Sequence, residues 1–383
     1  MQLRYNVRLY PSPGQCQALA KAFGCARTVY NDALRVRRQA HAGGLPYVSD
    51  AELSKQVVTQ AKKTPERAWL GEVSAVVLQQ ALADLNGAYR NFFSSLAGKR
   101  EGPKVAAPRY RSKRDRRQAV RFTRNARFSI TAGGKLRLPK IGDVDVHWSR
   151  NLPSAPSSVT VIKDAAGRYF ASFVVETCDE PLPETAGEVG IDLGLTHFAV
   201  LSDGRKIGNP RFLRRAERRL KKAQRALSRK AKGSNNREKG VVKVARVHAK
   251  VADARRDFAH KLSTQIIRES QTVVVEDLCV KGLARTKLAK SVHDAGWSQF
   301  VGMLVYKAAR HGRIFVRINR WFPSSKMCSA CGTVAESMPL DVRMWTCRCG
   351  AVHDRDVNAA INILAAGRAD RLNACGGTVR PAA

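Results

Sequence analysis

Three acidic residues, far apart in the chain, lie in sequence contexts typical of one metal-dependent site for phosphodiester cleavage. Asp192 lies in Val-Gly-Ile-Asp-Leu-Gly-Leu, Glu276 in Val-Val-Val-Glu-Asp-Leu, and Asp356 in His-Asp-Arg-Asp-Val-Asn-Ala-Ala. Carboxylates suit hard cations such as Mg²⁺, which keep water molecules and share phosphate oxygens. Two such ions could stabilise the attacking water and the leaving 3′ oxygen of an in-line displacement. We therefore predict that these three residues are catalytic and bind two Mg²⁺ ions.

The strand predicted around Asp192 alternates between two faces. Its apolar residues point to one side, whereas Asp192 shares the other side with Gly190 and Gly194. A carboxylate flanked by residues without side chains would leave room for metal ions and a sugar–phosphate strand. We interpret both glycines in this way.

Glu276 ends a short apolar run, residues 272–275, of the kind found in a buried parallel strand. Open α/β sheets place their ligands at the carboxyl ends of such strands. The neighbouring Asp277 would project to the opposite side. The local pattern does not choose between the two acids, and Glu276 is our prediction.

Asp356 begins a predicted helix whose apolar residues follow three, four, seven and eight positions later, on the same face. That face should pack on the sheet and direct the carboxylate toward it. The alternative is a cap for the positive end of the helix dipole. We assign capping to Asp354 and metal binding to Asp356.

Four cysteines form two close pairs, Cys328-Ser-Ala-Cys331 and Cys347-Arg-Cys349. Four thiolates give tetrahedral Zn²⁺ a closed site with no position left for catalysis. We predict one structural Zn²⁺ in a zinc ribbon, although the second pair is one residue tighter than the usual C-x-x-C. His353 is an alternative ligand, and we expect it to be solvated instead. The other cysteines are interpreted as ordinary small apolar residues: Cys16, Cys25, Cys178, Cys279 and Cys375.

The chain of 383 residues is strongly basic, with 68 Lys and Arg against 31 acids and a formal charge of +37. Residues 98–125 interleave cations with aromatic residues, and residues 211–250 contain sixteen Lys or Arg with helically spaced leucines. Solvated linkers or a coiled-coil surface are the alternatives, but charge this one-sided favours a nucleic acid partner. No apolar stretch is long enough for a membrane span, and the first residues lack the apolar core of a signal peptide.

The elements that must position these residues can be predicted from periodicity. The N-terminal half begins with a strand over residues 3–10, and Ser12-Pro13-Gly14-Gln15 starts a helix that runs to about residue 40. A second amphipathic helix covers 74–97. Short strands follow and suggest a small β-barrel that the first strand could complete, which makes the helices an insertion. These strands are 119–123, 127–131, 135–138, 143–148, 158–163 and 168–176.

A predicted boundary lies at residues 179–185, where acidic residues and prolines cluster. Two strands then precede a cationic helix pair over 211–250, broken near Gly233. The buried strand at 272–275 and the helix at Asp356 complete an α/β arrangement.

These motifs together resemble the TnpB proteins of small insertion sequences, compact relatives of the type V CRISPR effectors. The resemblance rests on Gly190-Ile-Asp-Leu-Gly-Leu, Val275-Glu-Asp-Leu, Cys328-Ser-x-Cys-Gly, and His353-Asp-Arg-Asp-x-Asn-Ala-Ala-x-Asn-Ile. It extends to Arg8-Leu-Tyr-Pro, Val29-Tyr-Asn, and the tail Ala374-Cys-Gly-Gly-Thr-Val-Arg-Pro. The cysteine spacing at 347–349 departs from the family pattern.

The resemblance implies a multidomain fold of α/β and β-barrel parts. A RuvC-like, RNase H-type nuclease domain with an inserted zinc ribbon would follow an N-terminal wedge-type β-barrel with an inserted helical recognition lobe. The implied ranges are 1–12 and 100–180 for the barrel, 13–99 for the lobe, 185–325 and 351–383 for the nuclease domain, and 326–350 for the ribbon.

The resemblance also implies an RNA-guided DNA endonuclease. Its guide would be an RNA from the transposon end, and its target double-stranded DNA beside a short adjacent motif. We expect a bacterial or archaeal cytoplasmic protein associated with the nucleoid, with a monomer as the working expectation. The rivals are a non-cleaving RNA-guided repressor and an RNA-independent transposase or resolvase. Guide sequence, adjacent motif, cut positions and oligomeric state are left open.

Overall fold

The computed structural model describes residues 2–339 and 341–374, and side chains only as far as Arg371. Cys375 and the rest of the C-terminal motif therefore lie outside the described residues. The chain divides into two compact units between Cys178 and Asp179. Within the described ranges, no helix is both long and apolar enough to span a bilayer.

The first unit is built on a seven-stranded antiparallel sheet, a half-barrel in shape. The chain order of the strands differs from their order in the sheet, which is β2-β6-β7-β1-β5-β4-β3. The N-terminal strand lies centrally, with Tyr5 opposite Phe173 and Leu9 opposite Val146. This confirms that the first strand completes the sheet. The strands are β1 (Gln2–Tyr10), β2 (Gln118–Thr123), β3 (Ser129–Ile130), β4 (Leu136–Leu138), β5 (Gly142–His147), β6 (Ser158–Lys163) and β7 (Tyr169–Glu176).

Three α-helices separate β1 from β2 along the chain. They are α1 (Pro13–Ala42), α2 (Asp50–Ser54) and α3 (Ala75–Leu96), with π- and 3₁₀-helical turns at Lys55–Gln60, Ala61–Lys63, Ala68–Glu72 and, after β2, Arg124–Ala126. Helix α1 begins with the predicted capping box, because the Ser12 hydroxyl accepts from Gln15 N and the Gln15 side chain accepts from Ser12 N. The buried faces of α1 and α3 join one core with Phe122 and Phe173 of the sheet.

The second unit contains a five-stranded mixed sheet in the order β10-β9-β8-β11-β12. Strands β8, β11 and β12 run parallel, so their carboxyl ends meet at one edge. A separate two-stranded ribbon pairs β13 with β14. The strands are β8 (Glu188–Asp192), β9 (His197–Leu201), β10 (Lys206–Gly208), β11 (Thr272–Glu276), β12 (Ile314–Ile318), β13 (Met344–Thr346) and β14 (Val352–Asp354).

Helices cover this sheet. They are α4 (Phe212–Ser228), α5 (Asn235–Glu269), α6 (Val280–Leu283), α7 (Ala289–Ala295), α8 (Trp297–Arg310) and α9 (Arg355–Ala374). The predicted basic helix pair is present as α4 and α5, but α5 continues to Glu269. It does so because Leu262, Ile266 and Ile267 extend its apolar stripe into the core beneath the sheet.

Helix α9 packs on the opposite face of the sheet at very short range. A Cβ atom added at Gly190 of β8 would overlap the Ala360 carbonyl and come within 2.7 Å of Leu364 N. From the sequence, Gly190 was interpreted as leaving room for ions. That interpretation is wrong, because α9 occupies the space beside Gly190. Its missing side chain lets the backbone of α9 lie directly on β8.

This contact predicts the effect of one added methyl group. Gly190→Ala should lower the free energy of unfolding by roughly 1–3 kcal/mol or more, because α9 must move away from the sheet. Gly208→Ala in β10 is the matched control, since its added Cβ would meet nothing within 4 Å. Denaturant unfolding of both variants measures the difference. Equal stability of the two would contradict the packing described here.

Candidate functional site

The three predicted acids lie on neighbouring elements of the second unit. Asp192 is the last residue of β8, Glu276 the last of β11, and Asp356 lies in the first turn of α9. The parallel register pairs Val275 with Ile191, which puts Glu276 and Asp192 at adjacent strand ends. Since α9 packs on β8, its N-terminal turn reaches the same edge.

The charges of these groups act on one another. Burial, and after it the negative charges of Asp356 and Glu276, together raise the pKa of Asp192 from 3.8 to about 7. Arg355 and Arg343 oppose this shift. Folding has therefore brought together three residues separated by more than 160 positions in the chain. Their mutual repulsion favours a bound cation.

The two neighbouring acids at the carboxyl end of β11, Glu276 and Asp277, have different partners. Glu276 is half-buried and accepts a 3.4 Å hydrogen bond from Ser324 Oγ. Burial raises its pKa, the Ser324 hydrogen bond lowers it, and the charge of Asp277 raises it. Asp277 instead pairs with Arg320 and, at 3.7 Å, with Arg317. Of the two, only Glu276 contributes to the raised pKa of Asp192.

At the start of α9, Asp354 and Asp356 have different partners. Asp354 Oδ1 accepts hydrogen bonds from Asp356 N at 3.2 Å and Val357 N at 3.0 Å, which confirms its capping role. Its other oxygen pairs with Lys206 Nζ at 2.6 Å. Asp356 is left to face Arg343, whose Nη1 lies 3.2 Å from its Oδ1. The partner of Asp356 is thus a cationic side chain rather than the backbone of α9.

The four cysteines of the ribbon converge. The sulfur atoms of Cys328, Cys331, Cys347 and Cys349 all lie within 4.8 Å of one another. The Cys328–Cys349 and Cys331–Cys347 sulfurs are 3.8 and 3.6 Å apart. Such separations suit tetrahedral coordination with metal–sulfur bonds of about 2.3 Å. The short C-x-C pair therefore does not prevent convergence.

His353 is not the solvated side chain that we expected. Its Nε2 lies 3.0 Å from Cys328 Sγ, and its ring packs on Trp345 with centroids 4.9 Å apart. This position follows from the pairing of β13 with β14, which sets Trp345 opposite His353. Local sequence does not contain these tertiary contacts of His353.

Two asparagines that the sequence analysis did not single out connect the cysteine loop to α9. The buried Asn358 donates to Met327 O at 2.7 Å and accepts from Ser329 N at 2.9 Å. The buried Asn362 donates to Met327 O and to Ser324 O at 2.6 and 2.9 Å. Their spacing of four residues on an otherwise apolar helix face was the available signal.

The carboxylates are spaced more widely than the sulfurs. Among the described residues, the cysteine cluster is the only group of three or more potential ligands that all lie within 4.8 Å of one another. A wider spacing is compatible with a pair of ions, which sit about 3.5–4 Å apart in two-metal sites. The oxygen-only donor set of Asp192, Glu276 and Asp356 suits hard cations.

Fold and site together define the class of protein. Three family models match consecutive parts of the chain: "Helix-turn-helix domain" at residues 1–45, "Probable transposase" at 172–287, and "Cas12f1-like, TNB domain" at 297–363. The first description does not fit the observed fold. Within residues 1–45 the structure has strand β1 and one continuous helix, α1.

Relatives cover almost the whole chain. "Putative RNA-guided DNA endonuclease" of Streptomyces pristinaespiralis is 50% identical over 381 residues, 98% of this chain and 92% of the relative. "Putative RNA-guided DNA endonuclease InsQ" of Escherichia coli K12 is 30% identical, over 98% of this chain and 94% of its own. A cryo-EM structure of a Cas12f1–sgRNA–target DNA complex shares the fold, with a TM-score of 0.54, 13% identity, and coverage of 90% and 81%. The chain therefore belongs to the TnpB (IS605 OrfB) family of transposon-encoded proteins.

The raised pKa of Asp192 predicts a pH-dependent stability in chelator-treated protein. Between about pH 4 and 7 the folded protein holds a proton that the unfolded chain has released, so the free energy of unfolding falls as pH rises. Each unit of pKa displacement corresponds to about 1.4 kcal/mol. Asp192→Asn should remove the contribution of Asp192 and make the slope shallower, while the raised pKa of Glu276 still contributes. Denaturant unfolding at several pH values measures the slope.

The exposed Asp203 provides the control. Asp203→Asn should keep the slope of the unsubstituted protein across the same pH range. If Asp192→Asn kept the full slope as well, the raised pKa of Asp192 would be refuted.

Proposed function

We propose that this protein is an RNA-guided, metal-dependent DNA endonuclease that cuts double-stranded DNA beside a short adjacent motif. The convergence of Asp192, Glu276 and Asp356 carries the proposal, because a protein that only binds nucleic acid has no need for three repelling carboxylates. The name of the Streptomyces pristinaespiralis relative, 50% identical, supports the activity. We expect the guide to be an RNA from the transposon end.

Asp192, Glu276 and Asp356 would hold two Mg²⁺ ions at the carboxyl edge of the sheet. Bound there, the ions would supply Lewis acidity for the attacking water and the leaving 3′ oxygen. Asp192 must be ionised to bind metal, and Ser324 orients Glu276 through its hydrogen bond. The products would carry 5′ phosphate and 3′ hydroxyl ends.

We assign the domains from this arrangement. Residues 185–325 and 351–383 would form the RuvC-like, RNase H-type domain, which the mixed five-stranded sheet supports. The seven-stranded sheet supports a wedge-type β-barrel at 1–12 and 100–180. The helices between β1 and β2 would be the recognition lobe, 13–99.

Residues 326–350 would form a zinc ribbon with one structural Zn²⁺. The four converging cysteine sulfurs support this assignment. His353 would donate an N–H···S hydrogen bond to Cys328 and thereby orient that ligand. Through Asn358 and Asn362, the ribbon would hold the start of α9 in place for Asp356.

The cationic helices α4 and α5 would bind a phosphate backbone. Asp294 fixes this pair, because its carboxylate accepts from Leu213 N at 2.8 Å and from Arg214 N at 3.2 Å at the start of α4. It also pairs with Arg255 of α5. Since guide and target are made in the bacterial or archaeal cytoplasm, we expect the protein there, on the nucleoid.

Removing one metal ligand should abolish cutting and spare guided binding. Asp192→Ala and Glu276→Gln should lower the cleavage rate of matched duplex in Mg²⁺ by at least about a hundredfold, because the site loses the charge that holds the ions. Gel assays with protein carrying its copurified RNA measure cleavage, and a mobility-shift assay measures binding.

Asp277→Asn is the matched control for Glu276→Gln, because its carboxylate pairs with Arg320 and Arg317 instead. It should cut within several-fold of the unsubstituted protein. Target binding without any cutting by that protein would favour a non-cleaving repressor. Cutting of transposon-end DNA without RNA would favour a transposase or resolvase.

The zinc ribbon makes a separate prediction about metal content. The purified protein should contain about one zinc per chain, and Cys328→Ala should lose it, because three thiolates leave the tetrahedral site incomplete. Cys178→Ala should retain zinc, and so should His353→Ala if His353 only donates to Cys328. Elemental analysis measures the content; unchanged zinc in Cys328→Ala would rule out this site.

A further inference from the structure

A groove of about 710 Å³, here called the β3 groove, opens on the first unit at one edge of the seven-stranded sheet. It is lined by residues 128–132, which contain β3, by five residues of the segment 151–156 before β6, and by Arg124, Gly134 and Trp148. The volume lies within the range of pockets that bind ligands. None of the lining residues belongs to the carboxylate site or the cysteine cluster, so the proposed function does not account for this groove.

The β3 groove follows a free strand edge. Strand β3 is last in the sheet order, and within the described ranges it pairs only with β4. Thr131 N donates to Lys135 O at 2.9 Å, so the next pair of the antiparallel ladder, Ile130 and Leu136, is the non-hydrogen-bonded kind. The N–H and C=O of Ile130 therefore point away from β4, toward the free edge. Such an edge is a template for another strand.

The lining of the β3 groove is mainly apolar and partly rigid. The Ile130 side chain is 38% exposed. The Trp148 ring is fixed, because it stacks on Phe173 with centroids 5.5 Å apart and donates from Nε1 to Gly134 O at 2.7 Å. The half-buried apolar residues of the lining are Phe128, Trp148, Leu152 and Pro156. A preformed apolar surface beside a free edge suits a partner strand with apolar side chains on one face.

The charge around the β3 groove is positive. Arg124 lines it, and the lining contains no acidic residue within the described part of the chain. Arg127 and Arg150 each directly precede a lining residue. None of these three arginines forms an ion pair in the part of the chain that the structure describes, whereas both acids of β5 are already paired with cations of the β3–β4 hairpin. The unpaired positive charge favours an acidic partner over a second copy of this basic chain.

We propose that the β3 groove docks an extended acidic segment of another protein, which adds as a strand to the free edge of β3. The segment pairs through its backbone with the N–H and C=O of Ile130 and lays its apolar side chains against Ile130 and Trp148. Its acidic side chains face Arg124, Arg127 and Arg150. A polypeptide fits better than a nucleic acid, because only a polypeptide carries the alternating amide donors and acceptors that match a strand edge.

The test uses the full chain with its copurified RNA and a fluorescein-labelled peptide of alternating residues, Asp-Phe-Asp-Val-Asp-Ile-Asp. Fluorescence anisotropy should show saturable binding with a Kd of about 1–100 µM. The same peptide methylated on its backbone nitrogens keeps its charge and should bind at least about tenfold more weakly, because it cannot donate to a strand edge. Replacing each Asp by Lys should weaken binding as much. Equal binding of the acidic and methylated peptides, or no saturation by the acidic one, would overturn the proposal.

Matched variants of Ile130 provide the second arm. Ile130→Pro removes the N–H that faces the free edge and leaves the hydrogen bonds of β3 to β4 in place, so it should weaken binding of the acidic peptide at least about tenfold. Ile130→Val keeps the N–H and an apolar side chain and should bind within severalfold of the unsubstituted protein. Undiminished binding by Ile130→Pro would contradict strand addition. Thermal unfolding checks that both variants fold.

Hydrogen exchange locates the bound peptide without any substitution. Saturating acidic peptide should slow amide exchange of residues 128–132 severalfold and leave β2, at the opposite edge of the same sheet, unchanged. Protection of both edges or of neither would overturn the proposal. Protection of 128–132 by the RNA, with peptide binding only after RNA is removed, would assign the groove to RNA instead. A dimer in sedimentation that Ile130→Pro dissociates would assign it to a second copy of the chain.

Discussion

Helix α9 lies so close to the sheet that no side chain fits between its backbone and β8. Gly190 makes this possible on β8, and Gly367 allows an equally close approach of the helix to β11, where a Cβ atom would overlap Val274. The contact fixes the position of Asp356 relative to Asp192. The same helix anchors the cysteine loop through Asn358 and Asn362. The carboxylate site and the ribbon therefore depend on one helix–sheet contact.

This packing places three carboxylates that repel one another inside a very basic protein. The chain carries a formal charge of +37, yet burial and two neighbouring acids raise the pKa of Asp192 to about 7. Basic surfaces attract a phosphate backbone over long range. A carboxylate cluster repels it at short range unless cations intervene. Under the proposed function, the site would accept a scissile phosphate only together with its metal ions, which would couple substrate binding to the catalytic state.

Local sequence was sufficient for features that depend on residues a few positions apart. The capping box of α1, the buried run of β11, the cap at Asp354 and the paired cysteine spacing could all be predicted. Local sequence could not show that Gly190 faces a helix, that Glu276 rather than Asp277 acts on Asp192, or that His353 contacts Cys328. Those outcomes depend on which distant element packs against each residue. Periodicity fixes the face on which a side chain lies, but only the tertiary structure decides what occupies the space beyond that face.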